Sequence, residues 1–473
     1  MNSDVKIDGN IEKQEFTLST TPMSWRLTLA SAVVALGVAA YGLQGSIGGR
    51  GQACLGLLCF LGIVAAFSHN LRAINWRTIF LGILLQVVLA VSIIKVEVVR
   101  KFFEAIVSVV KQFLLFTNAG SQFVFGKLAD PDTMAKVLGP KNGFIFAFSA
   151  LPTIIFVASF FTILYYFGVL QFVVRVLAKV MMYLMQTSGA ETLSVTANIV
   201  MGQTEAPLII KPYVPRMTHS ELLTMMVGGM AHISGALMAV YIGLGADPVA
   251  ILATSVMAAP CSLYLSKLFL PELGEPETRG EVKTVVEQQH GNVIDAASAG
   301  ASDGMRLAIN IAAMLIAFLA LIAMVDALLR SVDVVLNEVN GRLGGDADYF
   351  HLDLSLQKLF SWIFAPVAVL MGVDGKDVPA MADLLGTKLV ANEFVAYVNY
   401  HDKYVDAFSE RSRVLATYAL TGFANFASIG IQLGGIGALA PNRRHDLARL
   451  GGRALFVGFL VTLINASLAG ILL

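Results

Sequence analysis

Nine apolar runs divide this chain, at 27–43, 53–67, 79–94, 144–170, 222–244, 249–270, 307–329, 414–439 and 454–473. Most approach or exceed the ~20 residues needed to span hydrocarbon. Lipid offers the backbone no hydrogen-bond partners, so apolar runs of this length must satisfy their amides internally, as helices do. Composition agrees: 56% of residues are hydrophobic and 14% charged, with a mean hydropathy of +0.72. Polar side chains are too few to cover the apolar surface of a soluble fold. The expected class is an all-α polytopic membrane protein.

The rest of the chain adds no soluble domain. Residues 1–24 form a polar leader of mixed charge, and 25–50 hold an N-terminal helix and loop. That helix lacks a short basic segment at the extreme terminus and more membrane segments follow it, so it reads as a retained helix rather than a signal peptide. Within 96–138, Arg100, Lys101, Glu104, Lys111 and Lys127 interrupt the apolar pattern; the first part suits a helix lying in the interface plane. Residues 271–304, rich in Glu, Gly and Ala, read as an exposed connection. Basic residues cluster at Arg72 and Arg77, at Arg175 and Lys179, and at Arg443, Arg444, Arg449 and Arg453. Placing these loops in the cytoplasm gives a consistent alternation with the N-terminus inside and the C-terminus outside. The formal net charge is zero, which argues against a nucleic-acid partner. Cys54, Cys59 and Cys261 have neither metal-ligand nor disulfide spacing and read as small core residues.

Two polar clusters carry carboxylates into apolar surroundings: Gln203-Thr204-Glu205 and Asn392-Glu393. An ionisable group at membrane depth costs several kcal/mol unless it meets water, a partner or a substrate. The first lies in a stretch broken by Gly202, Pro207 and Pro212, which suits a re-entrant hairpin tipped at 202–205. Unpaired backbone at such a tip requires surrounding protein or a water-filled cavity. Downstream, Ile233-Ser234-Gly235 interrupts an apolar helix; after the second cluster, the segment 422–430 does the same. Hairpin, acid and broken helix thus occur twice, a duplication that fits secondary transporters with a midplane site between half-helices. Small residues packing helices together are the competing explanation for either break alone.

The chemistry suits a neutral, hydroxyl-rich solute. Carboxylates accept strong hydrogen bonds from hydroxyls, Gln203 and Asn425 supply both donors and acceptors, and Phe423 and Phe426 offer aromatic faces. No basic cluster accompanies the acids, which disfavours phosphorylated or carboxylate substrates. A membrane-embedded enzyme is the main rival, but the histidines are scattered and neither His-Glu-x-x-His nor Gly-x-Ser-x-Gly occurs. Asp326, a carboxylate in an apolar helix, lies an i,i+4 step from Arg330. A channel would need a continuous pore lining, whereas the re-entrant motifs predict an occluded site.

Gly-Gln-Thr-Glu-Ala-Pro at 202–207, Asn-Glu-Phe-Val-Ala-Tyr at 392–397 and Gly-Phe-Ala-Asn-Phe-Ala-Ser-Ile-Gly at 422–430 resemble motifs of the concentrative nucleoside transporter family. The resemblance runs from about Gly51 to the C-terminus and includes Asn142-Gly143-Phe144 and Leu385-Gly386-Thr387-Lys388-Leu389; the first helix and leader fall outside it. It implies a fold with inverted repeats, two re-entrant helical hairpins and two broken helices, plus the extra N-terminal helix. In this layout scaffold helices and an interfacial helix occupy 51–170. The first half of the transport region is 171–270, with a hairpin at 188–215 and a broken helix at 220–244. A scaffold helix follows at 305–340. The second half is 341–440, with a hairpin at 375–400 and a broken helix at 412–440, before a C-terminal helix at 441–473.

The resemblance further implies a nucleoside importer in the plasma membrane (the inner membrane of a Gram-negative cell). It would be a homotrimer in contact with lipid, coupled to a cation and working by alternating access, with no other cofactor. Gln203, Thr204, Glu205 and Leu237 would contact the nucleobase; Glu393, Asn425 and Ser428 would hold the ribose, and Phe423 would line the same pocket. Leu237 replaces a smaller Val and narrows the wall. Sodium would lie at Asn198, Met201, His232 and Ile233, where His232 stands in place of a hydroxyl residue. Sodium prefers oxygen ligands, and imidazole titrates near neutrality, so sodium and proton coupling both stand open.

Overall fold

A computed structural model describes residues 20–139, 143, 145–279, 290–343 and 354–473. Most of the polar leader, Asn142 and Phe144, the middle of the 271–304 connection and 344–353 lie outside the described residues. The described residues contain helices and turns and no strand. In chain order the helices are α1 (Met23–Gly42), α2 (Gln44–Ala66), α3 (Trp76–Lys95), α4 (Glu97–Phe125), α5 (Pro131–Leu138) and α6 (Phe146–Tyr166). They continue with α7 (Val169–Met185), α8 (Gly189–Ala197), α9 (His219–Ala231), α10 (Gly235–Gly243), α11 (Pro248–Phe269) and α12 (Val293–Arg342). The last third comprises α13 (Leu356–Leu370), α14 (Val378–Val390), α15 (Glu393–Asn399), α16 (Glu410–Leu420), α17 (Phe426–Leu439) and α18 (Arg444–Leu472).

Among the described residues, nine helical segments are long and apolar enough to cross a membrane. They differ from the nine runs read in the sequence at two places. Glu97–Leu138 qualifies, because the charged residues at its start, paired as Lys101–Glu97 at 2.6 Å and Arg100–Glu104 at 3.3 Å, precede a longer stretch with few charges. The run 414–439 does not, since it divides into α16 and α17 around 421–425. Two boundaries also shift. Gly168 adopts φ +75 and closes α6, so residues 169 and 170 open a separate helix, α7, whose exposed face carries Arg175 and Lys179. Asn292 caps α12 by accepting from the Asp295 N–H at 2.9 Å, so that helix takes in residues 293–304 of the sequence-level connection.

Helix α12 lies along α6, where Gly300 and Gly304 let the backbones meet. A Cβ on Gly304 would fall 2.7 Å from the Ile155 Cα. Between these long helices and the apolar α1–α2 pair sits the more deeply buried part, in which hairpin and broken helix occur twice. Hairpin 1 rises as α8 and turns through 198–205. It returns in two short 3-10 turns, Ala206–Ile210 and Val214–Arg216, because Pro207, Pro212 and Pro215 remove amide donors that a helix would need. Broken helix 1 is α9 and α10. Hairpin 2 is α14 and α15, and broken helix 2 is α16 and α17.

The outer ends of each repeat are tied together. Ser188 and Thr218 each form a capping box, with Glu191 and Glu221 respectively. The Ser188 hydroxyl also donates to Glu221 Oε1 at 2.5 Å, joining hairpin 1 to the broken helix. Lys267 of α11 sits in this knot, 2.8 Å from Glu191 Oε2 and 3.0 Å from Glu272 Oε2, and donates to Ser220 Oγ at 2.9 Å. In the second repeat Asp377 accepts from the Ser409 N–H at 3.0 Å. Removing one member of a buried charge cluster strands the others, at a cost of about 3–5 kcal/mol. Lys267→Met is therefore expected to lower the thermal midpoint of the detergent-purified protein sharply, with a smaller loss for Lys267→Arg; an unchanged melt for Lys267→Met would remove this knot from the account of stability.

Candidate functional site

Three half-helices begin at polar residues that cap them. Ser234 Oγ accepts from the Leu237 N–H at 3.4 Å, Asn392 Oδ1 from the Val395 N–H at 2.8 Å, and Asn425 Oδ1 from the Ser428 N–H at 2.8 Å. These are the starts of α10, α15 and α17, and all three caps line one cavity, whose empty space, counted with the part open to solvent, is about 730 Å³. Helix N-termini carry partial positive charge, so the cavity is built to favour electron-rich ligand atoms. The hairpin 1 tip closes it from the opposite side.

All eight residues read in the sequence as substrate contacts line this cavity: Gln203, Thr204 and Glu205 from the tip, Leu237 from α10, Glu393 from α15, and Phe423, Asn425 and Ser428 from the second break. Glu393, 4% exposed, is held from two sides. Its Oε1 accepts from the Tyr241 hydroxyl at 2.9 Å and its Oε2 from Asn425 Nδ2 at 2.8 Å. Gln203 Nε2 donates to Ser428 Oγ at 3.2 Å, so the tip of hairpin 1 meets the second broken helix, while Gln203 Oε1 is buried without a partner. Glu205 differs from Glu393. It is exposed in the cavity and, among the described residues, accepts only the Gly202 N–H, at 3.2 Å.

The Phe423 N–H donates to the His232 carbonyl at 3.1 Å, joining the two breaks, and the Gly235 N–H donates to the Val200 carbonyl at 2.9 Å, joining the first break to hairpin 1. Gly422 has φ +138, and a Cβ there would lie 2.8 Å from Thr462 Cγ2 and 3.0 Å from the Ala231 carbonyl oxygen, so only glycine fits this turn.

The four positions read as a sodium site, Asn198, Met201, His232 and Ile233, are buried and do not form the cavity wall. Asn198 Nδ2 donates to the Ser194 carbonyl at 3.0 Å, which leaves its Oδ1 buried without a partner. His232 Nδ1 lies 2.7 Å from the Gly228 carbonyl, one turn back along α9, and donates to it, and the ring also reaches the Ser255 backbone of α11. An orphaned side-chain oxygen at Asn198 suits a hard cation, whereas the imidazole is bound back into its own helix.

Sequence reasoning missed one residue that braces the wall from behind and several in the wall itself. Tyr241 carries a hydroxyl into an apolar run four residues after Leu237, one helical turn along the same face, and that spacing was the available signal. Phe394 and, from α12, Leu307 and Ile311 gave none, since apolar residues in apolar segments look alike.

A bundle of apolar helices enclosing two re-entrant hairpins, two broken helices and a polar cavity between them defines a multi-pass membrane carrier. The chain matches the family profiles described as Na+ dependent nucleoside transporter N-terminus over 55–128, Nucleoside recognition (Gate) over 147–248 and Na+ dependent nucleoside transporter C-terminus over 250–470. It is 40% identical to an uncharacterized transporter of Haemophilus influenzae, covering 88% of this chain and 96% of the relative. It is 42% identical to Sodium/nucleoside cotransporter 1 of Mus musculus over 88% of this chain; that alignment spans 63% of the mouse protein's length. Among solved structures, CNTnw in an inward-facing substrate-bound state is similar with a TM-score of 0.80 at 37% identity, over 89% of this chain and 97% of that one. A variant of CNTnw in an outward-facing state matches with a TM-score of 0.81 at 36% identity, over 90% of this chain and 97% of that one. The chain belongs to the concentrative nucleoside transporter family. It has that family's fold and is a transporter, not an enzyme.

Proposed function

We propose that this protein imports nucleosides across the plasma membrane by cation symport, with alternating access to the cavity between its hairpins. One observation carries the reading: a fixed carboxylate, Glu393, and an open one, Glu205, both line a cavity whose other polar groups are amides and hydroxyls. Carboxylates favour the vicinal hydroxyls of a ribose, and Gln203 with Thr204 offers donors and acceptors for a base edge. Glu393, Asn425 and Ser428 hold the ribose in this reading, Gln203, Thr204, Glu205 and Leu237 face the base, and Phe423 lines the pocket. The protomer works within a homotrimer, testable by native mass spectrometry in detergent.

Sodium is the proposed coupling ion. Asn198 Oδ1 and the carbonyls of Met201 and Ile233 supply oxygen ligands, and the imidazole of His232 takes no part. Uptake of labelled uridine and adenosine into proteoliposomes under an imposed sodium or proton gradient tests this. Accumulation driven by sodium supports the reading; accumulation driven only by protons transfers the role to His232, the buried imidazole at the first break. Counterflow, the exchange of one solute for another across the membrane, separates a carrier from a channel. The wall at Leu237 predicts selectivity: Leu237→Val is expected to raise the slower of the uridine and adenosine rates roughly 10-fold relative to the faster, as removing a methylene's worth of bulk changes binding by about 1–3 kcal/mol. An unchanged ratio would mean that Leu237 does not touch the base.

A further inference from the structure

Tyr241 has no exposure and does not line the cavity, yet its hydroxyl donates to Glu393 Oε1 at 2.9 Å. Any acceptor would satisfy a buried phenol, so this bond alone shows no more than a filled core position. The surroundings of the ring add the rest. It stacks on Tyr397 with centroids 4.3 Å apart and planes at 17°, and it meets Phe394 edge-on at 5.7 Å. Both belong to α15, the helix that begins with Glu393. Tyr397 is fixed at its far end as well. The Thr421 hydroxyl donates to the Thr417 carbonyl at 2.7 Å, so it accepts from the Tyr397 hydroxyl at 3.0 Å. A chain of contacts thus runs from the end of α16 through Tyr397 and Tyr241 to one oxygen of Glu393.

The other oxygen is held by Asn425 Nδ2 at 2.8 Å, and Asn425 is pinned in turn by capping α17. Both contacts are needed to define the carboxylate. The terminal torsion of a glutamate is broad, so with one donor the group turns about its Cγ–Cδ bond, and with a donor on each oxygen it cannot. Tyr241 and Asn425 each take an acceptor position on a different oxygen, and the directions left for a ligand are thereby fixed. Tyr241 comes from the first broken helix, whereas Glu393 and Asn425 come from the second repeat. One helical turn before it, Leu237 forms part of the cavity wall. Helix α10 therefore supplies wall with one residue and orients the carboxylate with the other.

We propose that Tyr241 is the positioning residue behind a preference of this site for sugars with vicinal hydroxyls: it never meets the nucleoside and acts by aiming Glu393 at the 2′ and 3′ hydroxyls. The inference rests on the reading of the protein as a nucleoside carrier with ribose at Glu393, and it goes beyond that reading by assigning sugar selectivity to a residue behind the wall. A nucleoside without those hydroxyls offers an aimed carboxylate nothing to accept, so its binding does not depend on the aim. The two kinds of substrate separate orientation from packing.

The test compares wild type with Tyr241→Phe, which keeps the ring on Tyr397 and removes only the hydroxyl. Uptake of labelled uridine into proteoliposomes gives its KM and maximal rate, and competition against that uptake gives the inhibition constant of 2′,3′-dideoxyuridine. In Tyr241→Phe the KM for uridine is expected to rise about 10-fold, as a pair of hydrogen bonds to a charged group loses its alignment. The maximal rate and the dideoxyuridine constant should both stay within about 2-fold of wild type, so discrimination between the two nucleosides collapses about 10-fold. Equal weakening of both would assign Tyr241 to the packing of α10 on hairpin 2 and overturn the proposal, as would no change in either. A wild type that binds the two alike also overturns it, since there is then no preference to set. If Tyr241→Phe is not recovered folded, Tyr397→Phe decides, because it frees the stack from α16 and leaves Glu393 and both its donors in place. A fall in discrimination of about 3-fold supports the proposal there, and unchanged discrimination sinks it. Absence of saturable uridine uptake and counterflow by wild type would instead overturn the underlying reading.

Discussion

Glu393→Gln is expected to reduce nucleoside uptake by roughly 100-fold or more while leaving a protein that inserts and folds. The argument turns on what each carboxylate oxygen meets. Asn425 cannot turn its amide around, because its Oδ1 already caps α17 through the Ser428 N–H. A glutamine at 393 must therefore present its oxygen to Asn425 Nδ2 and its amide nitrogen to Tyr241, whose hydroxyl can rotate to accept. The contacts within the protein survive, and the charge that would accept from ribose hydroxyls is gone. A hydrogen bond to a charged group contributes about 1.5–3 kcal/mol, so losing a bidentate pair accounts for about two orders of magnitude or more. Glu393→Ala should differ in kind. It leaves the Tyr241 hydroxyl and the Asn425 amide buried without partners, at about 1–3 kcal/mol each, and should lower the thermal midpoint as well. Initial-rate uptake and thermal melts on both variants measure the two effects separately; normal uptake by Glu393→Gln would remove Glu393 from the binding site.

This dual role of Glu393 marks where the sequence stopped being informative. Its place in a re-entrant hairpin was legible, because a carboxylate flanked by apolar residues has few tolerable surroundings in a membrane. So were the breaks, from Ser234-Gly235 and from Gly422 with Asn425, since small and polar residues stand out against Leu, Val and Ile. That the caps of α10, α15 and α17 would point into the same cavity follows from their shared role of capping half-helices at membrane depth. The contact between Tyr241 and Glu393 was not legible. It joins residues 152 positions apart, and only the packing of one repeat against the other brings them together. The division of 144–170 at Gly168 was hidden because hydropathy does not register a change of backbone direction. The same blindness placed the start of α12 too late: Ala, Ser and Gly between 296 and 304 read as a linker, yet they are the small residues that let α12 approach α6.

Glu205→Gln is the variant expected to separate binding from coupling. Among the described residues Glu205 holds no other side chain in place, and its one partner there, the Gly202 N–H, is satisfied equally by an amide oxygen. The substitution therefore removes a charge and little else, and the melt should stay close to wild type. The energetic consequence falls on the transport cycle. A bare carboxylate at the hairpin tip, facing a cavity at membrane depth, must be compensated before it can be occluded, and a cation arriving with the substrate does so. With glutamine there, occlusion no longer needs the cation, and the cation gradient can no longer drive it. Concentrative uptake should be abolished, while counterflow of nucleoside across a preloaded vesicle should persist at a reduced rate, because the ribose contacts proposed for Glu393, Asn425 and Ser428 remain. The two assays on one preparation make the outcome decisive. Retained accumulation against a gradient would show that Glu205 is not the group the coupling ion compensates. Loss of counterflow together with accumulation would make it primarily a substrate ligand.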